Sequence, residues 1–183
     1  MDKFFTYDGC RIHYEDCGEG HPILLLHGWG CNTTTFNAIR PFLEARFRVL
    51  TFDFAGFGQS DEPTDVWGVE QYTQSIEALV KHEGIDRPIL IGHSFGGRVA
   101  IVYASRNEVG KIILTDAAGV KPHRTLKYYF KVYSFKLMKR LAPIFLGKRR
   151  AEEWIERRRG KSGSSDYNNA TPKMRAILSK VVN

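Results

Sequence analysis

The apolar positions of this chain fall into short runs separated by turn-forming residues. Lys3 to Tyr7 and Arg11 to Glu15 flank Asp8-Gly9, a dipeptide that favours a tight turn, and predict an antiparallel hairpin. After a loop at 16–20, Ile23 to Leu26 is wholly apolar, as expected of a strand covered on both faces. Thr33 to Leu43 predicts a helix capped by Asn32 or Thr33, with Pro41 as a late irregularity. Phe47 to Phe52 predicts the next strand and leads into the turn-rich Asp53 to Ser60. Tyr72 to His82 predicts a helix with Ile76, Leu79 and Val80 on one face. Ile89 onward is a strand, Gly97 to Ser105 a helix, and Lys111 to Thr115 a further strand ending at Asp116.

Short apolar strands alternating with helices predict an α/β fold: a mainly parallel sheet covered by helices. In such sheets ligands bind beyond the carboxyl ends of the strands. His27-Gly28-Trp29-Gly30, Asp53, Ser94 and Asp116 all fall at those ends, so segments distant in sequence are expected to meet on one edge of the sheet.

Residues 121–183 have a different character. Leu126, Phe130, Tyr133, Leu137 and Leu141 recur at helical spacing, with Lys127, Lys131, Lys136, Lys139 and Arg140 among them. Pro143 is expected to interrupt that helix, Ala151 to Arg159 predicts a second, Lys161 to Asn169 a loop, and Pro172 to Val182 a third helix. Charge draws the same division. Residues 1–120 hold ten Lys/Arg against sixteen Asp/Glu, a net −6, whereas 121–183 hold seventeen against four, a net +13. The expected organisation is a core over 1–120 and a basic helical segment over 121–183.

Composition narrows the function classes. The chain has 43% hydrophobic residues, and no stretch approaches the roughly 20 apolar residues of a membrane span, so no integral membrane segment is expected. The amino terminus has no apolar signal-peptide core and the three cysteines are odd in number, which predicts a cytoplasmic protein with free thiols. No Cys/His spacing suggests a metal site, and nothing calls for a cofactor. The basic segment has no recognisable nucleic-acid-reading motif, so no nucleic acid is expected. Its interleaved lysines and apolar residues permit a membrane-surface helix, but a cap burying its apolar face against the core explains them without a membrane and is the expected arrangement.

The chemistry concentrates in Ile89 to Val99. Gly92, Ser94 and Gly96 spell Gly-x-Ser-x-Gly, with a strand before and a helix after, and the glycines fit where a Cβ would collide with neighbouring elements. Together with His27-Gly28-Trp29-Gly30 and Asp53-Phe54-Ala55-Gly56-Phe57-Gly58-Gln59-Ser60, this stretch resembles the amino-terminal part of an α/β-hydrolase fold protein, in the family's order and spacing over residues 1–120. The resemblance implies that Ser94 is a nucleophile and that the backbone N–H groups of Trp29 and Phe95 form an oxyanion hole. It also implies that 121–183 corresponds to a helical cap. Serine at 94 argues against the haloalkane dehalogenases and epoxide hydrolases of this fold, which use a carboxylate nucleophile.

The rest of a triad is less apparent. The fold's chain order is serine, acid, histidine; Asp116 is a candidate acid, and His123, the histidine that follows Ser94, sits at the entrance to the cap. The resemblance places the catalytic histidine and the last strands beyond Asn183. A chain ending there is expected to be inactive and to self-associate through the unpaired edge of Lys111 to Thr115. His27 and Asp53 are expected to be structural, Asp53 by fixing its glycine-rich turn. The function expected is hydrolysis of a small ester-like substrate through a Ser94 acyl-enzyme; the alternative is a non-catalytic small-ligand-binding module on the same fold.

Overall fold

The computed structural model describes residues 2–119, 125–147, 149–153, 155 and 170–182. They form two compact units, one comprising residues 1–120 and 170–183 and the other 121–169. The first contains a six-stranded sheet in the order β1-β2-β4-β3-β5-β6. Its strands are β1 (Asp2–Tyr7), β2 (Cys10–Cys17), β3 (Pro22–Leu26), β4 (Arg48–Phe52), β5 (Ile89–His93) and β6 (Lys111–Thr115). β1 and β2 pair antiparallel around Asp8-Gly9, where both turn residues have positive φ (48° and 73°), and β2 pairs antiparallel with β4. From β4 through β3 and β5 to β6 the pairing is parallel, as the wholly apolar strands predict.

Alternation along the parallel strands supplies two cores. Leu24, Leu26, Leu50, Phe52 and Leu90 belong to the larger one, with side chains of the helices α2 (Val69–His82) and α3 (Phe95–Ala104). Ile23, Leu25, Val49 and Ile91 face the other way and pack with Phe36 and Leu43. Such double coverage puts the backbone polar groups of the strands out of water and into the ladder.

Several elements depart from expectation. The helix expected over 33–43 divides into a single 3₁₀ turn at Thr33–Phe36, whose Asn32 cap accepts the Thr34 N–H at 3.0 Å, and a short α1 (Arg40–Glu44). Pro41 is the cause: it has no N–H to continue a helix from the preceding turn, but it is tolerated in the first turn of a new one. α2 begins three residues earlier than its apolar stripe, because Gln71 Oε1 accepts the Gly68 N–H at 2.7 Å and supports one more turn.

The segment expected as one basic unit also divides. The helix α5 (Pro172–Val182) belongs to the sheet-containing unit, where Met174, Ile177 and Val181 are buried in the larger core. Its lysines cap loop carbonyls: Lys173 Nζ donates to Pro63 O at 2.9 Å and Lys180 Nζ to Val66 O at 2.8 Å, while Arg98 donates to the Val181 carbonyl. The other unit contains α4 (Leu126–Leu146), which continues past Pro143 for a final turn and stops at Gly147 with φ 73°. A proline so close to the end removes one N–H donor, and the helix terminates before a second turn would be needed. Residues 149–153 and Ile155 are helical; the rest of the helix expected over 151–159, the expected loop 161–169, and His123 lie outside the described residues.

Candidate active site

β5 ends at His93, and α3 begins at Phe95, leaving Ser94 alone to reverse the chain. It does so with φ 49° and ψ −110°, a conformation that costs a non-glycine residue about 1–3 kcal/mol. Four backbone hydrogen bonds hold it there. The Ser94 N–H donates to Thr115 O at 3.1 Å, and its carbonyl accepts from Gly97, Arg98 and Ala118 at 3.1, 3.3 and 3.0 Å. The glycines make this compactness feasible. A Cβ at Gly92 would lie 2.6 Å from Gly97 Cα, one at Gly97 would meet the Ala117 side chain at 2.5 Å, and one at Gly96 would overlap the Leu26 carbonyl. Ser94 is half-buried, and its hydroxyl makes no hydrogen bond among the described residues.

The loop after β3 lies directly beside it. A Cβ on Gly28 would sit 3.4 Å from Ser94 Cβ and 2.9 Å from His93 Nδ1, and Gly96 N–H donates to His27 O at 3.0 Å. The loop turns tightly, with Cys31 N–H on Gly28 O at 3.2 Å and Gly30 at φ 76°. The Trp29 ring packs edge-on against Phe95 at 5.6 Å and Phe57 at 4.8 Å. Neither the Trp29 nor the Phe95 N–H has a hydrogen-bond partner among the described residues. Of the four segments expected to meet at this edge, the loop after β3 and the β5–α3 turn lie side by side, and Phe57 of the turn after β4 packs on Trp29.

His27 is structural. It is fully buried, its Nδ1 donates to Gly28 O at 2.7 Å, and its Nε2 accepts the Phe54 N–H at 3.0 Å, so both nitrogens are occupied beneath the loop. Burial pushes its pKa down to about 4, keeping it in the neutral form that this pattern requires. Asp53 is likewise buried and fixes two turns: Oδ1 accepts the Thr33 N–H at 2.7 Å and Oδ2 the Gln59 N–H at 3.0 Å.

Asp53 Oδ2 also lies 2.8 Å from Nδ1 of the fully buried His13. Reasoning from sequence missed this pair, because nothing in the local pattern of β2 distinguishes His13 from any other strand residue. His13 N–H donates to Ser60 Oγ at 2.9 Å, and Ser60 Oγ donates to Asp53 O at 2.7 Å, so the turn after β4 is fastened to the hairpin. Among the described residues, Asp2, His13 and Glu15 form one grouping of metal-ligating types, with ligand atoms within 4.8 Å of one another. Glu15 is committed to Arg40 and Asp2 is exposed, so the group reads as the polar side of the hairpin.

Asp116 follows Thr115, the residue that anchors Ser94, and has φ 48°. Its side chain is exposed and has no hydrogen-bond partner among the described residues, so it is not paired with an imidazole. No described histidine hydrogen-bonds to Ser94.

The family model described as alpha/beta hydrolase fold matches residues 21–165. An uncharacterized protein of Mycobacterium tuberculosis is 38% identical over 120 residues, 64% of this chain and 35% of the relative. The soluble epoxide hydrolase of Corynebacterium sp. is 33% identical over 111 residues, 60% of this chain and 39% of the relative. The 2-hydroxy-6-oxo-6-phenylhexa-2,4-dienoate hydrolase of Comamonas testosteroni is 30% identical over 152 residues, 74% of this chain and 53% of the relative. The chain therefore spans between about a third and a half of these relatives. Among solved structures, an esterase from Exiguobacterium antarcticum superposes with TM-score 0.67 at 22% identity, over 100% of this chain and 73% of the other. With the family model covering most of its length, this chain belongs to the α/β hydrolase fold family.

Proposed function

We propose that this protein hydrolyses a small ester-like substrate by acyl transfer to Ser94. The observation that carries the reading is the strained backbone of Ser94, held at φ 49° by four hydrogen bonds at the amino end of α3. Strain of this kind in a residue with a nucleophilic side chain supports a functional role, since a turn alone is made more cheaply by glycine.

In this mechanism Ser94 Oγ attacks the acyl carbon and gives up its proton to a base. The oxyanion that forms accepts hydrogen bonds from the Trp29 and Phe95 N–H groups. Collapse expels the alcohol, and water then attacks the acyl-enzyme and restores the hydroxyl. Removing one such donor in other enzymes costs about 100- to 1,000-fold in kcat. Serine rather than a carboxylate at 94 favours acyl chemistry over the epoxide opening named for one relative. The Trp29, Phe57 and Phe95 rings beside the loop favour an apolar acyl group.

The base is the part for which the described residues offer no member, so the test separates nucleophile from turnover. A fluorophosphonate probe should label Ser94 only where a base activates it, because an unactivated serine reacts poorly. Labelling mapped to Ser94 and lost in Ser94→Ala supports the hydrolase. Tight binding of a short-chain ester without labelling or turnover would instead support the ligand-binding alternative.

A further inference from the structure

α4 carries a feature that the hydrolase chemistry does not use. Leu126, Phe130, Tyr133, Leu137, Leu141 and Ile144 follow one another at steps of three and four residues, which places them in one stripe along the helix. All six are exposed, Leu126 by 87%, Phe130 by 78% and Ile144 by 73%. The stripe runs for about 27 Å at 1.5 Å per residue. The sequence pattern would have this face buried, yet among the described side chains of α4 the buried and half-buried Val132, Phe135 and Ala142 lie on other faces and Ser134 only at the stripe's edge.

The surroundings of the stripe say what would cover it. The helix has five basic residues, Lys127, Lys131, Lys136, Lys139 and Arg140, and no acidic one. On the helical wheel Lys136 and Arg140 lie along one border of the stripe and Lys127 along the other. The contact is direct on one side, where Lys136 Nζ stands 5.6 Å from the centroid of the Tyr133 ring. Tyr129 stacks on Tyr133 at 6.4 Å, and Tyr133 gives the stripe an aromatic ring with a polar tip, a side chain favoured where one end is apolar and the other wet. A second copy of this helix would bring five more cations against these five, and a neutral apolar partner would leave them without counter-charges. A surface that is apolar within and anionic at its rim satisfies both features.

We propose that α4 is an interfacial helix whose Leu126-to-Ile144 stripe lies in the surface of an anionic lipid bilayer, with Lys127, Lys136 and Arg140 at the level of the headgroups. The helix lies on the membrane and does not cross it; no described helix is long and apolar enough to do so. The whole chain would be sedimented with phosphatidylcholine vesicles that contain or lack phosphatidylglycerol, with a vesicle-free control. The expected result is co-sedimentation with the anionic vesicles alone, weakening as salt is raised. Phe130→Glu with Leu137→Glu, both at exposed positions, should abolish binding, and each of Lys136→Gln and Arg140→Gln should weaken it about five-fold. Circular dichroism of each variant checks that the helix is retained. No binding to anionic vesicles, equal binding to both kinds, or binding unchanged in the Phe130/Leu137 variant would each overturn the proposal. So would a vesicle-free protein whose size falls in that variant, because the stripe would then join copies of the chain.

Discussion

Gly96→Ala is the sharpest test of how the elbow is built. A Cβ at this position would stand 2.7 Å from the His27 carbonyl oxygen and closer still to the carbonyl of Leu26. Both are backbone atoms of β3 or of the loop that follows it, so relief requires α3 to move off the sheet. The same shift would stretch the 3.0 Å bond from Gly96 N–H to His27 O, the direct tie between the nucleophile turn and the Trp29 loop. Overpacking of this kind costs about 1–3 kcal/mol and a weakened hydrogen bond about 1 more. The expected loss is therefore about 2–4 kcal/mol, or roughly 5–15 °C in melting temperature for a chain of this size. Gly119→Ala is the control, since only the terminal methyl of Ile101 obstructs it and that side chain can rotate away. Thermal denaturation of both variants followed by circular dichroism decides the matter. A Gly96→Ala protein that melts within about 2 °C of wild type, or no lower than Gly119→Ala, would refute the argument that close backbone approach requires glycine here.

Other outcomes follow from the same geometry. Ser94→Gly should raise the unfolding free energy by about 1 kcal/mol in urea titrations, because glycine removes the strain at φ 49° and returns part of the gain as unfolded-state entropy. His27 is neutral in the folded protein down to about pH 4, whereas the unfolded chain protonates it near 6.5. The unfolded state thus binds more protons in that window, and stability should fall by about 3 kcal/mol as pH drops from 6.5 to 4. Urea unfolding of wild type and His27→Gln across this range should show the slope reduced in the variant. Asp53→Ala strips acceptors from the Thr33 and Gln59 N–H groups and from His13 at once, and should cost about 3–5 kcal/mol in the same assay. β6 pairs only with β5 among the described residues and exposes Ile113 and Leu114 by 40% and 43%. Sedimentation velocity should show a size that grows with concentration, and Ile113→Lys should suppress that growth.

Local patterns revealed those parts of the site whose chemistry is local. Gly92, Gly96 and Gly97 around Ser94 announce a turn too crowded for side chains, and His27-Gly28-Trp29-Gly30 marks the end of a doubly buried strand. The His13–Asp53 pair joins residues 40 positions apart and depends on the register of β2 against β4, which no local spacing reveals. Pro41 and Pro143 show why a proline has to be weighed by its place in a helix. Pro41 opens one that the apolar spacing would start earlier, and Pro143 falls close enough to an end to be accommodated. The separation of α5 from the rest of the basic segment was hidden for a related reason. Met174, Ile177 and Val181 have helical spacing in either setting, and only the surfaces they meet show to which unit they belong.

The return of α5 to the core has a further consequence for how the molecule assembles. Residues 121–169 are an excursion whose ends are both tied to the sheet-containing unit, so the core cannot be completed until the whole excursion has left the ribosome. Until then Gly56, Pro63 and Val66 lack the side chains of Met174, Lys173 and Lys180 that meet them in the finished fold. The core's last step is thus timed by a segment that belongs to the other unit.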